Sequence, residues 1–218
     1  TPIAVIRGAI SAIQLKSAEG NIRAQAELLS EVDAAANKLN TLVSNLLDMS
    51  RIQSGKLGLN RNDYDLREVV GDAIDKIRPA LGGYRVSVSY DGDNFLYSCD
   101  FALLQQVVIN LVLNAVTHNV PGTVIEIRMS HLMDGDYSIA VRDNGTGIPS
   151  GMLEEIFEKF VRSPNARPGG SGLGLPIARS IAELHGGKLL AANLPSGGAE
   201  FVLTLPAVAK NAAQTGEN

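Results

Sequence analysis

A single cysteine, Cys99, leaves this 218-residue chain without an intramolecular disulfide or a cysteine-rich zinc site, as suits a reducing compartment. Excess basic charge is missing too. With 19 Lys and Arg against 23 Asp and Glu the net charge is -4, so there is no broad cationic face for a nucleic-acid backbone, and nucleic acid is not an expected partner. Long apolar runs are absent: the stretch 107–116 is broken by Asn110 and Asn114 and falls short of the roughly 20 apolar residues a membrane helix needs. Any tie to a membrane is therefore expected to come from segments upstream. No signal peptide is visible, and a start at Thr1 reads as a piece of a longer protein. Two common nucleotide signatures fail as well. No G-x-x-x-x-G-K-[ST] occurs, and the G-x-G-x-x-G register breaks at Leu175. The H-R-D and D-F-G signatures of protein kinases are absent. His118, His131 and His185 are too dispersed for a metal site.

What is present is organised in two parts. Residues 3–15 read as an apolar helix opened by Pro2, and the S-A-E-G turn closes it. From 21 to 52 there is neither proline nor glycine, and Val32, Ala36, Leu39, Val43 and Leu46 recur in steps of four and three. This predicts a helical hairpin over 1–55, with Leu28, Leu42 and Leu47 widening its apolar surface to a degree that suits a four-helix bundle of two chains. A linker over 54–63, with Gly55 and Gly58, marks the boundary. Beyond it, strands and helices alternate over 60–208. Helices are expected at 66–80, 101–118 and 173–184, with Asp100 as an N-cap. Strands are expected at 84–90, at 94–99 beside it, and at 124–129, 137–142, 187–191 and 201–205. The whole is an α+β chain, a helix layer on a mixed sheet, with a disordered tail at 209–218.

Four segments carry chemistry. The stretch 141–149, V-R-D-N-G-T-G-I-P, places Asp143 directly after a strand and before Gly145 and Gly147. Alone it reads equally as a surface turn. An ionised Asp143 only accepts hydrogen bonds, so it prefers the exocyclic amine of adenine to the carbonyl that guanine presents. The two glycines allow close backbone approach and positive φ, and Ile148 offers an apolar wall. Asn110 and Asn114 share a helix face one turn apart, where carboxamide oxygens suit magnesium and phosphates complete its shell. His118 ends that helix as a surface residue or as a plate for an adenine ring. The run Gly169, Gly170, Gly172 and Gly174 leads into a helix near Leu173, whose first amides would face phosphate. Residues 163–168 read as a mobile lid, with Arg162 at its base for the terminal phosphate. Phe157 and Phe160 are expected to pack its hinge, and His185 to end a helix.

In order and spacing, L-L-Q-Q-V-V-I-N-L-V-L-N-A (103–115), V-R-D-N-G-T-G-I-P (141–149), I-F-E-K-F-V-R (156–162) and G-G-S-G-L-G-L (169–175) resemble the N, G1, F and G2 boxes of the histidine-kinase ATP-binding domain. Its superfamily, shared with gyrase, is built on an α/β sandwich. T-P-I-A-V-I-R-G-A and L-V-S-N-L-L-D-M-S-R-I-Q-S-G are similar to the dimerisation and phosphotransfer hairpin of sensor kinases, in particular the potassium-responsive Kdp type. The resemblance implies a cytoplasmic catalytic core of an inner-membrane sensor, dimeric through its hairpin. Such a core binds ATP and Mg2+ and passes the γ-phosphate to a histidine and then to the receiver domain of a response regulator. It implies that Asn114 holds magnesium and Asn110 assists at the phosphates. Asp143 would bind adenine, and Gly145, Gly147, Gly172 and Gly174 would shape the pocket.

Two departures stand out. The nucleophilic histidine of the family lies four residues before the Thr-Pro step, upstream of Thr1, so the chain as written is expected to bind nucleotide without phosphorylating itself there. Thr117 stands where many relatives carry a phosphate-reaching lysine, leaving that contact to Arg162 or Lys159. Thr1 occupies the place of a residue that orients water for partner dephosphorylation. Two other functions compete. A clamp-type ATPase of the superfamily would carry a water-activating glutamate at position 110, and an asparagine cannot act as that base. A nucleotide-switched binding module would need no chemistry.

Overall fold

The computed structural model describes residues 2–16, 22–53, 58–149, 151–162 and 171–207. Thr1, the lid at 163–168, Gly169, Gly170 and the tail at 209–218 lie outside the described residues. Contacts divide the chain into two compact units, 1–54 and 55–218.

The first unit is an α-helical hairpin, α1 (Pro2–Lys16) and α2 (Ile22–Gln53). Ala9 on α1 and Ala35, Asn45 and Met49 on α2 are its buried residues among those described. The heptad-like line expected at the hairpin seam is not the buried one. On that line Ala36, Val43 and Leu46 are exposed and Val32 and Leu39 half-buried, because α2 turns the neighbouring line through Ala35 and Met49 toward α1; Leu47, outside the line, is exposed as well.

The second unit runs β1 (Asn62–Asp65), α3 (Leu66–Ile77), β2 (Arg85–Asp91), β3 (Leu96–Cys99), α4 (Phe101–His118), β4 (Val124–His131), β5 (Tyr137–Asp143), α5 (Gly174–Leu184), β6 (Lys188–Asn193) and β7 (Ala199–Leu205). Short 3-10 turns occupy Arg78–Leu81 and Glu155–Phe157. Five strands form a mixed sheet in the order β2-β4-β5-β7-β6, in which β2 pairs with β4 in parallel and the other pairs are antiparallel. Helix α4 packs against α3 and α5, and both α4 and α5 reach the sheet.

Two expectations needed correction. Strand β3 pairs not with β2 but with β1, through Asn62↔Cys99 to Asp65↔Leu96, so the end of the presumed linker is itself a strand. Four residues, only half of them partly buried, carry too short an alternation to be seen in the chain. Helix α3 stops before Pro79, which lacks an N–H and disfavours helix in the residue preceding it, and the chain continues as a 3-10 turn.

Helix starts follow local chemistry. Asp65 caps α3 by accepting from Arg67 N at 2.9 Å, and Asp100 caps α4 by accepting from Leu103 N at 3.2 Å. Although α4 is long and apolar enough by length and composition to cross a membrane, Leu104, Val107, Val108, Leu111, Val112 and Ala115 are buried in the core of this unit. The start of α4 is tied to the end of α5 by His185. Its ring is buried, Nδ1 donates to Ile181 O at 2.8 Å and Nε2 accepts from Asp100 N at 3.2 Å. Burial pushes its pKa down, against the opposing pull of the Ile181 carbonyl.

Candidate nucleotide site

The site is built where α4, the loop after β5 and the start of α5 meet. With α4 turning its apolar face into the core, Asn110, Asn114 and His118 fall on the opposite line, one turn apart each. Asn110 and Asn114 are half-buried and His118 is exposed. Among the described residues Asn110 Nδ2 is buried and finds no hydrogen-bond partner. Such an orphaned donor costs roughly 1–3 kcal/mol, so its persistence points to a partner supplied from outside the fold.

The Asn110 carboxamide lies at the start of α5. A Cβ added to Gly174, the first residue of the helix, would come within 3.7 Å of the Asn110 carboxamide. Leu173, the residue before it, is buried with no side chain capping the helix, and Pro176 closes the first turn. The unpaired amides at Gly174 and Leu175 therefore open beside Asn110, a combination suited to an anion. Leu173 N itself is held by Ser171 Oγ at 3.2 Å. Gly172 adopts φ 69°, and any side chain there would meet the backbone of Phe160 at 2.8 Å. Phe160 N donates to Gly172 O at 2.9 Å. This pinch joins the two ends of the segment 161–171.

The hinge aromatics behave differently from one another. Phe157 is buried, edge-on to Phe201 at 6.5 Å, with the Arg179 guanidinium 5.2 Å from its ring centre. Phe160, expected to pack as well, is 65% exposed and holds φ 64°, the only positive φ outside glycine among the described residues. The pinch at Gly172 forces that conformation and turns the ring away from the core. Next to it, Arg162 is exposed, and its charge acts on His118. Desolvation lowers the His118 pKa first, Arg162 lowers it further, and Asp143 opposes both. These three side chains thus share one neighbourhood.

Asp143 ends β5 with only 6% exposure. Its Oδ1 accepts from Gly145 N at 2.9 Å and from Ala199 N at 3.4 Å. A carboxylate so held is oriented by its own backbone, with Oδ2 left for a ligand amine. Gly147 has φ 74°, as expected. Gly145 does not adopt positive φ, contrary to expectation: a Cβ there would coincide with Asn119 Oδ1, so the residue is glycine because a neighbouring side chain fills its place. Ile148 is half-buried, and Asn193 binds both its N–H and its carbonyl.

Asn119, Asn193 and Gly198 are site residues that sequence reasoning missed. A Cβ at Gly198 would overlap the Asp143 carbonyl. An asparagine after a helix and an S-G-G turn are ordinary loop chemistry, so only their spatial neighbours single them out. Gly170 lies outside the described residues. Among the described residues no group of three or more His, Cys, Asp or Glu could hold a metal. A cation here would draw on a carboxamide oxygen and on ligand oxygens.

Residues 1–55 match the His Kinase A (phospho-acceptor) domain, and residues 99–209 match the family described as histidine kinase-, DNA gyrase B-, and HSP90-like ATPase. Over 210 residues the chain is 39% identical to the sensor protein KdpD of Escherichia coli (strain K12), covering 94% of this chain and 23% of that one. It spans about a quarter of the length of that relative. Among solved structures, the Acinetobacter baumannii histidine kinase AdeS shares the fold with a TM-score of 0.72 at 20% identity, over 96% of either chain. The histidine kinase ThkA, solved in complex with response regulator protein TrrA, shares it with a TM-score of 0.66 at 23% identity, over 94% of this chain and 57% of that one. Two domain matches in this order mean that the chain belongs to the histidine kinase-, DNA gyrase B-, and HSP90-like ATPases and carries the domain pair of a sensor histidine kinase core.

Proposed function

We propose that this chain is the cytoplasmic catalytic core of a two-component, Kdp-like sensor kinase of the inner membrane. It binds Mg-ATP at residues 60–208 and delivers the γ-phosphate to a histidine four residues before the Thr1–Pro2 step, and thence to a response-regulator aspartate. The observation that carries this reading is the Asn110 carboxamide beside the uncapped start of α5, its buried Nδ2 without a partner among the described residues.

The geometry supports the following roles. Asp143 accepts the adenine amine, with its carboxylate already oriented by Gly145 N and Ala199 N. His118 lies against the base and Ile148 walls it. Asn110 donates to a phosphate oxygen together with the amides at Gly174 and Leu175. Asn114 holds the magnesium through its carboxamide oxygen. Bound magnesium would neutralise charge on the phosphates. Arg162 supplies positive charge at the terminal phosphate, next to His118. Gly172 and Leu173 shape the approach to the start of α5, where the phosphates would lie. Catalysis on this reading is positioning and charge stabilisation, with no general base needed from position 110.

The exposed Val43, Leu46 and Leu47 of α2 support a homodimer through the hairpin. The ThkA–TrrA complex supports a receiver-domain partner. The test is the chain extended upstream through the expected histidine, incubated with γ-labelled ATP and magnesium. Label retained on protein, acid-labile and base-stable, is the expected result. Release of free phosphate without retained label would instead indicate a clamp-type ATPase.

A further inference from the structure

Asp143 is the last residue of β5, and the loop after it has two glycines, an exposed Thr146 and an Asn144 tied to the start of β4 by Val124 N donating to its Oδ1 at 2.8 Å. Left to itself the segment beyond Asn144 samples many conformations, and Gly145 N, which donates to the Asp143 carboxylate, would keep its place in few of them. Two asparagines from other elements restrain it. Asn119, at the C-terminal end of α4, is only 6% exposed. Its Nδ2 donates to Ala115 O at 2.9 Å, which fixes the carboxamide to its own helix, and its Oδ1 accepts from Thr146 N at 3.4 Å. It occupies the space where a Gly145 side chain would be.

From the other side comes Asn193, the last residue of β6. Its Oδ1 accepts from Ile148 N at 2.7 Å and its Nδ2 donates to Ile148 O at 2.8 Å, a two-point clasp on one peptide position. A Cβ at Gly147 would approach Asn193 Oδ1 to 2.8 Å. Both glycines of the motif thus face an asparagine of the protein itself.

We infer that Asn119 and Asn193 form a clamp that fixes the 143–148 loop, and that they are positioning residues for adenine discrimination rather than ligand contacts. This rests on the assignment of Asp143 to the adenine amine. Neither side chain needs to touch nucleotide. Each sets where the backbone of the loop runs, and so holds Gly145 N in place to orient the Asp143 carboxylate toward the base. A loosened loop still permits contacts at the phosphates, which come from α4 and α5, but loses the preference for an amine over a carbonyl at the base edge.

The experiment compares ADP with inosine diphosphate, which carries a carbonyl where adenine has its amine, by calorimetry with magnesium on the chain 1–218. Asn193 is the primary target because it is exposed and its replacement leaves the core untouched. In Asn193→Ala, ADP affinity is expected to fall roughly tenfold, in line with two lost hydrogen bonds, while inosine diphosphate affinity holds. Asn193→Asp keeps the acceptor for Ile148 N and should recover part of the discrimination. Asn119→Ala should act in the same direction, and thermal melting confirms that each variant is folded. Equal weakening of both nucleotides, or an unchanged ratio in folded Asn193→Ala, overturns the clamp. A wild-type chain that does not distinguish the two nucleotides removes the assignment of Asp143 first, and the clamp with it.

Discussion

Replacing Gly145 with alanine puts a methyl group onto Asn119 Oδ1, with Asn119 Cγ close behind. The loop cannot simply swing away, because Gly145 N is tied to Asp143 Oδ1 at 2.9 Å. Asn119 must leave instead, giving up its bonds to Ala115 O and Thr146 N. Two hydrogen bonds at about 1 kcal/mol each, plus about 1–3 kcal/mol for overpacking a well-filled site, give about 3–5 kcal/mol of destabilisation. Asn119→Ala alone costs only the bonds and a small cavity, about 2–3 kcal/mol. In the double variant the alanine methyl at 145 occupies the space the carboxamide vacates. Its cost should match Asn119→Ala alone, leaving a coupling of about 3–5 kcal/mol between the sites, the whole cost of the Gly145 substitution. Urea denaturation followed by circular dichroism on the four proteins measures this. Additive costs, within about 0.5 kcal/mol, would refute the packing account of Gly145.

Stability should fall on acidification from about pH 6.5, the ordinary histidine value, because the folded pKa of His185 is depressed by burial. The folded state then holds fewer protons than the unfolded chain, so the neutral ring's contribution is complete above that pH and is lost as pH drops through the folded pKa. Melting temperature against pH, with a flatter profile in His185→Gln, checks the assignment; the His118 shift has the same sign and leaves a smaller residual slope. Asp143→Asn keeps an oxygen for Gly145 N and Ala199 N, so the fold should melt within a few degrees of wild type while ATP affinity drops about a hundredfold. Equal affinity in the two proteins would remove Asp143 from the base. Asn110→Leu removes an unsatisfied buried donor and should raise the stability of the nucleotide-free chain by about 1 kcal/mol while abolishing ATP binding. A loss of stability there would show that Asn110 serves the fold.

Much of this protein is local in origin and was therefore open to the sequence. Apolar patterning wrote α1, α2 and α4, and Asp100 was legible as the cap of α4 because its bond spans only three residues. Four short segments pointed to the candidate nucleotide site because each chemistry is carried by a contiguous run. Tertiary structure alone decided what depends on distant neighbours. It paired β3 with β1, chose the Ala35–Met49 line of α2 as the intrachain face, and turned Phe160 outward to accommodate Gly172. It also brought Asn119 and Asn193 to Gly145 and Gly147 from 26 and 46 residues away in the chain. A glycine in a sequence declares only that a side chain is absent, and what fills the space it leaves is decided by whichever element the fold packs against it.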